Sequence, residues 1–111
     1  MKEYPATVVG VVDGDTIDVS LEVFPDLTFE IRTRLLGVDT HETYGVSTDS
    51  EEHRRGMEEK EFVEEWLDSQ AVLRVRVGEK GKYGRYLAEF IGVDGEILND
   101  RLLEEFDGVS W

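Results

Sequence analysis

The stretch "DTIDVSLEVFPDLTFEIRTRLLGV", residues 15–38, decides the fold of this chain of 111 residues. Apolar and polar residues alternate along it, which is typical of β-strands with two different faces. The pair Pro25-Asp26 interrupts the alternation and predicts a turn between two strands. Residues expected to share one face of their strand are Ile17, Val19, Leu21 and Val23 in the first, and Leu27, Phe29 and Ile31 in the second.

Further strands and helices are predicted on both sides of this stretch. β-branched and apolar runs predict the strands, and apolar stripes with helical spacing predict the helices. The strands are expected at residues 6–14, 71–77 and 86–93, and the helices within residues 56–70 and 97–108. This order predicts one domain over residues 1–111, mostly β with α (an α+β fold), built as a five-stranded OB-type barrel of antiparallel strands with two helices.

The composition limits the possible classes of protein. There is no cysteine, which excludes disulfide scaffolds and thiolate metal sites. The two histidines, His41 and His53, are too few for a multi-histidine zinc site. No apolar run approaches the roughly 18 residues of a membrane span, and the start lacks the apolar core of a signal peptide. We expect a monomer without a membrane partner, either cytoplasmic or secreted with its signal removed.

Acidic residues outnumber basic ones by 26 to 12, which gives a formal net charge of −14. By itself this balance argues against a nucleic-acid partner, because phosphate binding normally needs basic residues. One interpretation is a solvated acidic surface that aids solubility. The other is adaptation to high salt, where screening removes the repulsion between carboxylates. We expect a halophilic protein, because arginines outnumber lysines by eight to four, which fits that interpretation.

Charged and polar residues collect at three places where predicted strands end. Each carboxylate there, taken alone, is explained as a turn or surface residue. The combination is what points to function. The three places contain Asp15 in the first, Arg34, Asp39, Thr40 and Glu42 in the second, and Lys82, Tyr83 and Arg85 in the third.

The residue types at these places suit phosphate chemistry. Two carboxylates that a barrel brings together, Asp15 and Asp39, repel each other unless a cation lies between them. A hard divalent ion such as Ca²⁺ accepts these oxygens together with a backbone carbonyl and water. Arg34 and Arg85 offer planar forks that match phosphate oxygens, and Glu42 is available to orient or deprotonate a water. Together these groups predict a phosphodiester hydrolase.

Three motifs in this order resemble those of the staphylococcal nuclease family: "DGDT" at residues 13–16, "RLLGVDTHE" at residues 34–42 and "KYGR" at residues 82–85. The resemblance covers residues 8–103, most of the chain. It implies an OB-type barrel and a Ca²⁺-dependent nuclease, endo or exo, acting on RNA and on single-stranded or frayed DNA. In the family, water attacks phosphorus and the P–O5′ bond breaks, leaving a 3′-phosphate.

The resemblance also implies a role for each matching residue. One Ca²⁺ would be held by the carboxylates of Asp15 and Asp39 and by the backbone carbonyl of Thr40. Glu42 would act on the attacking water, either as general base or by positioning it. The catalytic set would be Arg34, Glu42 and Arg85, and the contacts to a neighbouring phosphate would be Lys82 and Tyr83.

Some features depart from the family pattern. His41 stands where family members usually carry proline, and losing that proline is expected to loosen the placement of Glu42. We expect His41 itself to be neither a metal ligand nor a base. The loop after Glu42, residues 44–56, is acidic where the best-known member is rich in lysine. Trp111 either stacks on a nucleotide base or packs against the barrel, and the sequence leaves both open.

The alternative function is a catalytically inactive OB-type module that binds nucleic acid or a protein. Domains of the family that serve only in binding tend to lack the acidic and arginine positions. This chain retains these positions, which favours the nuclease. The retained residues are Asp15, Arg34, Asp39, Glu42 and Arg85. The sequence leaves open the preference between DNA and RNA and the choice between internal and terminal cleavage.

Overall fold

Five strands form a closed barrel in the computed structural model, which describes residues 1–111. The elements are β1 (Lys2–Asp13), β2 (Thr16–Phe24), β3 (Leu27–Leu35), α1 (Glu51–Asp68), β4 (Arg74–Lys80), a 3₁₀ turn (Lys82–Gly84), β5 (Tyr86–Ile91) and α2 (Leu98–Glu105). Around the barrel the strands follow the order β1-β2-β3-β5-β4. The predicted α+β fold, a five-stranded OB-type barrel with two helices, is confirmed.

One pair of neighbouring strands is parallel, so the prediction of antiparallel strands throughout was wrong. β3 pairs with β5 in parallel, with Thr33 beside Tyr86 and Arg34 beside Leu87. The other four pairs are antiparallel. A closed barrel with an odd number of strands cannot alternate direction all the way round, so at least one parallel pair is unavoidable. Here this pair brings the end of β3 close to the loop that precedes β5.

The hairpin of β2 and β3 extends past the barrel wall. Ile17 and Val19 are fully buried in the core. β1, however, pairs with β2 only as far as Ala6 beside Leu21. Beyond that point the alternation continues, but β1 no longer pairs with β2 and the apolar face of the hairpin is exposed. The members of the predicted face that are exposed there are Val23, Leu27 and Phe29.

Helix α1 begins at Glu51, whereas the sequence predicted a loop up to residue 56. The Ser50 side chain caps the helix, because its oxygen accepts a hydrogen bond from the backbone N–H of His53 at 3.1 Å. Glu51 and Glu52 in the first turn also interact favourably with the positive end of the helix. The prediction relied on the apolar stripe alone, and the first turns of α1 carry almost no apolar residues.

The core joins the inner faces of the strands to both helices. Val63 of α1, Phe90 of β5 and Leu102 of α2 are fully buried in one cluster. Phe62 and Phe106 meet edge to face with ring centroids 5.6 Å apart, a favourable aromatic geometry. No helix combines the length and apolar character needed to cross a membrane. Both helices thus pack against the barrel and share its core.

Candidate active site

Three chain segments meet where β3 ends. The backbone N–H of Leu35 donates to the carbonyl of Asp15 at 2.9 Å, which joins β3 to the turn between β1 and β2. The parallel pairing of Arg34 with Leu87 brings in the loop before β5. The three places that the sequence singled out therefore lie together at one end of the barrel.

Asp15 and Thr40 are in direct contact. The Asp15 carboxylate accepts from the Thr40 backbone N–H at 3.2 Å and from the Thr16 hydroxyl at 3.0 Å. A Cβ at Gly14 would lie 2.8 Å from the Thr40 methyl carbon, so the turn needs glycine there. The Thr40 hydroxyl is buried and has no hydrogen-bond partner. Asp15 thus holds in place the residue whose carbonyl is the third candidate ligand.

Asp39 has a hydrogen-bonded backbone and an exposed side chain. Its N–H donates to the carbonyl of Val109 at 2.7 Å. Its carboxylate contacts Nη2 of Arg34 at 3.3 Å, yet the Asp39 side chain remains 61% exposed. The contact is too long and too open to be a strong ion pair. Asp39 can therefore turn its oxygens toward a bound cation while its backbone stays in place.

Acidic groups crowd around Glu42. Burial raises the pKa of Glu42, and the nearby charges of Asp13, Asp15, Asp39 and Glu52 raise it further. This shows that the candidate general base and both candidate ligands share one negative field. No group of three or more His, Cys, Asp or Glu side chains is arranged to hold a metal ion. A cation here would depend on two carboxylates together with neutral oxygens, and it would relieve the repulsion.

A basic depression of about 220 Å³ adjoins the acidic groups. Nε of Arg85 is buried there and has no partner within the protein. Tyr83 is 89% exposed, and its backbone φ of 63° is in the left-handed region that non-glycine residues rarely adopt. Because three basic side chains line the depression, an anion is its expected ligand. The depression is lined by Arg34, Gly81, Lys82, Tyr83, Arg85 and Leu87.

Trp111 contacts the rim of the barrel but remains 57% exposed, so it is not buried there and its stacking on a nucleotide base stays a prediction. Its indole N–H donates to the carbonyl of Val38 at 3.0 Å. The guanidinium carbon of Arg34 lies 5.3 Å from the Trp111 ring centroid, within the range of a cation–π contact. Arg34 is thus held between Asp39 and an aromatic ring, and it faces the depression.

The sequence prediction missed the residues of α1 that contact the loop carrying Glu42. These residues are Glu52, Gly56 and Glu59, one helical face at spacings of four and three. The Ser50 cap followed by acidic residues would have signalled the early start of α1. No periodicity links that face to residues 41–43, so the contact itself could not be read from the sequence.

A comparison with protein families decides the relationship. The model of the family described as "Staphylococcal nuclease homologue" matches residues 32–111, more than half of the chain. The chain belongs to this family. The matched range contains Arg34, Asp39, Thr40, Glu42, Lys82, Tyr83 and Arg85, whereas Asp15 lies before it. The resemblance seen in the sequence is thereby confirmed.

One curated protein is similar to this chain over most of its length. The succinoglycan biosynthesis protein ExoI of Rhizobium meliloti (strain 1021) is 28% identical over 102 residues. The alignment covers 90% of this chain and 49% of the relative. The chain therefore spans about half the length of the curated relative that it matches.

Proposed function

We propose that this staphylococcal nuclease homologue is a Ca²⁺-dependent nuclease that hydrolyses phosphodiester bonds of RNA and of single-stranded or frayed DNA. The observation that carries the proposal is the basic depression that Arg34, Lys82 and Arg85 line together. Arg34 in turn contacts Asp39, at the edge of the acidic group around Glu42. Arg34 thus connects the residues that we propose to bind phosphate with those that we propose to bind the cation.

The donor set fits a hard cation. Two carboxylates, from Asp15 and Asp39, and the backbone carbonyl of Thr40 are all oxygen ligands, which Ca²⁺ prefers. Burial is the main cause of the raised pKa of Glu42, and the charges of the neighbouring carboxylates, which a cation would offset, raise it further. When bound, Ca²⁺ would supply positive charge to the phosphate and leave coordination positions open for substrate and water.

The side chains of the site have different roles in the reaction. Glu42 accepts a proton from the water that attacks phosphorus and the P–O5′ bond breaks. The departing 5′-oxygen takes up a proton from solvent, which leaves a 3′-phosphate and a 5′-hydroxyl. Arg34 and Arg85 bind the nonbridging oxygens, where negative charge grows in the transition state. Lys82 and Tyr83, which also line the depression, bind a neighbouring phosphate.

Calcium dependence is the direct test. A fluorescent single-stranded DNA should be cleaved with Ca²⁺, and a chelator should slow cleavage about a hundredfold or more, since several kcal/mol of charge stabilisation is lost. Asp39→Asn should raise the Ca²⁺ concentration needed for half-maximal rate about tenfold or more, because one ligand charge is removed. The matched control is Asp100→Asn, which removes an exposed carboxylate from α2.

The same assay separates the nuclease from the alternative function. Retardation of the DNA in a gel without any hydrolysis, from folded protein in Ca²⁺, would favour the catalytically inactive binding module. Cleavage that is unchanged by chelation would contradict the proposed role of Asp15, Asp39 and Thr40.

We also propose that the protein is adapted to salt. With a net charge of −14, self-repulsion destabilises the fold at low ionic strength. At 1 M salt the Debye length is only about 3 Å, so this repulsion and the repulsion between enzyme and DNA are screened. We expect the melting temperature and the cleavage rate to increase from low to molar NaCl. An uncharged osmolyte at matched osmolality is the control, and a melting temperature that does not rise with salt would contradict the adaptation.

A further inference from the structure

Glu59 is a buried carboxylate that takes no part in the proposed reaction. It lies on α1, is 2% exposed, and both of its oxygens point at one residue. Oε1 accepts from the backbone N–H of His41 at 2.7 Å, and Oε2 lies 2.8 Å from Nδ1 of the same histidine. His41 directly precedes Glu42, so this carboxylate fixes the backbone next to the proposed general base.

Two other residues of α1 contact the same loop. Glu52 accepts from the backbone N–H of Glu42 at 3.0 Å. Gly56 allows the helix to approach closely, because a Cβ there would lie 2.6 Å from the carbonyl oxygen of His41 and 3.0 Å from that of Glu42. The face of α1 formed by Glu52, Gly56 and Glu59 therefore packs directly on the loop backbone.

The opposite side of the loop is held by the turn between β1 and β2. There the backbone N–H of Thr40 donates to Asp15 at 3.2 Å, and the Thr43 hydroxyl donates to Asp13. Four consecutive loop residues are thus each bound by a carboxylate. Between these contacts, the side chain of Glu42 is left free to face the site.

A glutamate at this buried position has a cost that an apolar residue would not have. Removing a carboxylate from water is unfavourable unless hydrogen bonds compensate it. An apolar residue could hold α1 against the barrel equally well, but it could not accept a hydrogen bond from a loop N–H. The two contacts to His41 account for the presence of the charge.

We propose that Glu59 is a positioning residue that fixes the loop at His41 and thereby places the carboxylate of Glu42 for water activation. This inference rests on the proposed nuclease function. A displacement of about 1 Å in a reacting group can cost roughly a hundredfold in rate. Glu59 therefore acts on the chemical step and has little effect on the binding of substrate.

The test compares Glu59→Ala and Glu59→Gln with the matched control Val63→Ala. Val63 is fully buried one turn further along α1, so its truncation weakens the packing of the same helix without touching the loop. We expect Glu59→Ala to lower kcat about tenfold to a hundredfold, with KM for single-stranded DNA within a few-fold of wild type. Glu59→Gln keeps an acceptor for the N–H and should restore most of kcat. Val63→Ala should leave kcat near that of wild type.

A second measurement does not depend on activity. Hydrogen exchange of the backbone amides of His41 and Glu42, well below each variant's melting temperature, should become faster in Glu59→Ala and stay unchanged in Val63→Ala. Equal kcat and equal exchange in the two variants would overturn the proposal and leave Glu59 a merely structural residue. If the wild type had no nuclease activity, the proposed function would be refuted. Even then, unchanged amide exchange in Glu59→Ala would show that Glu59 does not fix the loop at His41.

Discussion

Replacing Glu42 by alanine should lower the rate of cleavage of single-stranded DNA at least about a hundredfold in saturating Ca²⁺, because general bases contribute roughly 10²–10⁴ in rate. The backbone of Glu42 is held by Glu52, while its carboxylate stays in the acidic field of the site. The measurement is kcat by single-turnover cleavage of a fluorescent oligonucleotide. Glu42→Gln should be nearly as slow, since the amide cannot accept the proton.

The stability of this variant distinguishes lost chemistry from lost folding. The raised pKa of Glu42 means that the folded protein favours the protonated form, so the ionised carboxylate destabilises the fold above that pKa. Near neutral pH, Glu42→Ala should therefore melt at the same temperature as wild type or higher. The matched control is Glu30→Ala, which removes an exposed carboxylate from β3. A rate for Glu42→Ala within a few-fold of wild type would assign proton transfer to another group.

Replacing Arg85 by alanine should have the largest effect of all, about 10³–10⁵ in kcat/KM, which is the range for an arginine that stabilises a phosphoryl transition state. Arg85 lines the basic depression together with Arg34, where its guanidinium is available to a phosphate oxygen. Arg85→Lys keeps the charge but loses the planar fork, and it should recover only a small part of the rate.

Arg32→Ala is the matched control for Arg85. Arg32 lies on β3, half-exposed, in a bidentate pair with Asp18 at 2.8 and 3.0 Å, so its removal changes net charge equally without altering the depression. If Arg85→Ala raised KM and left kcat unchanged, Arg85 would bind the ground state and the transition state equally. That outcome would remove Arg85 from the catalytic set.

The sequence predicted those parts of the fold that depend on local patterns. Alternation over residues 15–38 placed β2 and β3, and the pair Pro25-Asp26 placed their turn. The parallel pairing of Thr33 with Tyr86 could not be predicted locally, because it follows from closing an odd number of strands. The exposure of Phe29 could not be predicted either. Alternation shows which residues share a face of a strand, but not whether that face is buried.

For the site, the motifs predicted which residues lie close together, but they did not predict the contacts that fix the position of these residues. The substitution of proline by His41 predicted a looser Glu42. The structure shows the N–H of His41 donating to Glu59, a contact that proline could not make, and the looser Glu42 stays a prediction. Eighteen residues separate the two partners, and no repeating pattern marks them. The contact of Trp111 with Arg34 depends in the same way on the folded chain.

Closure of the barrel has a consequence for how quickly the protein becomes active. The first strand pairs with the fourth, Lys2 beside Val77 and Pro5 beside Arg74, and Glu3 bonds to Arg76 across 73 positions of sequence. Such distant contacts must overcome the entropy of closing a long loop before they contribute stability. Folding on the order of milliseconds to seconds is typical of small β-barrels with distant pairings of this kind. The proposed nuclease activity should therefore return late in refolding, after the two ends of the sheet have met.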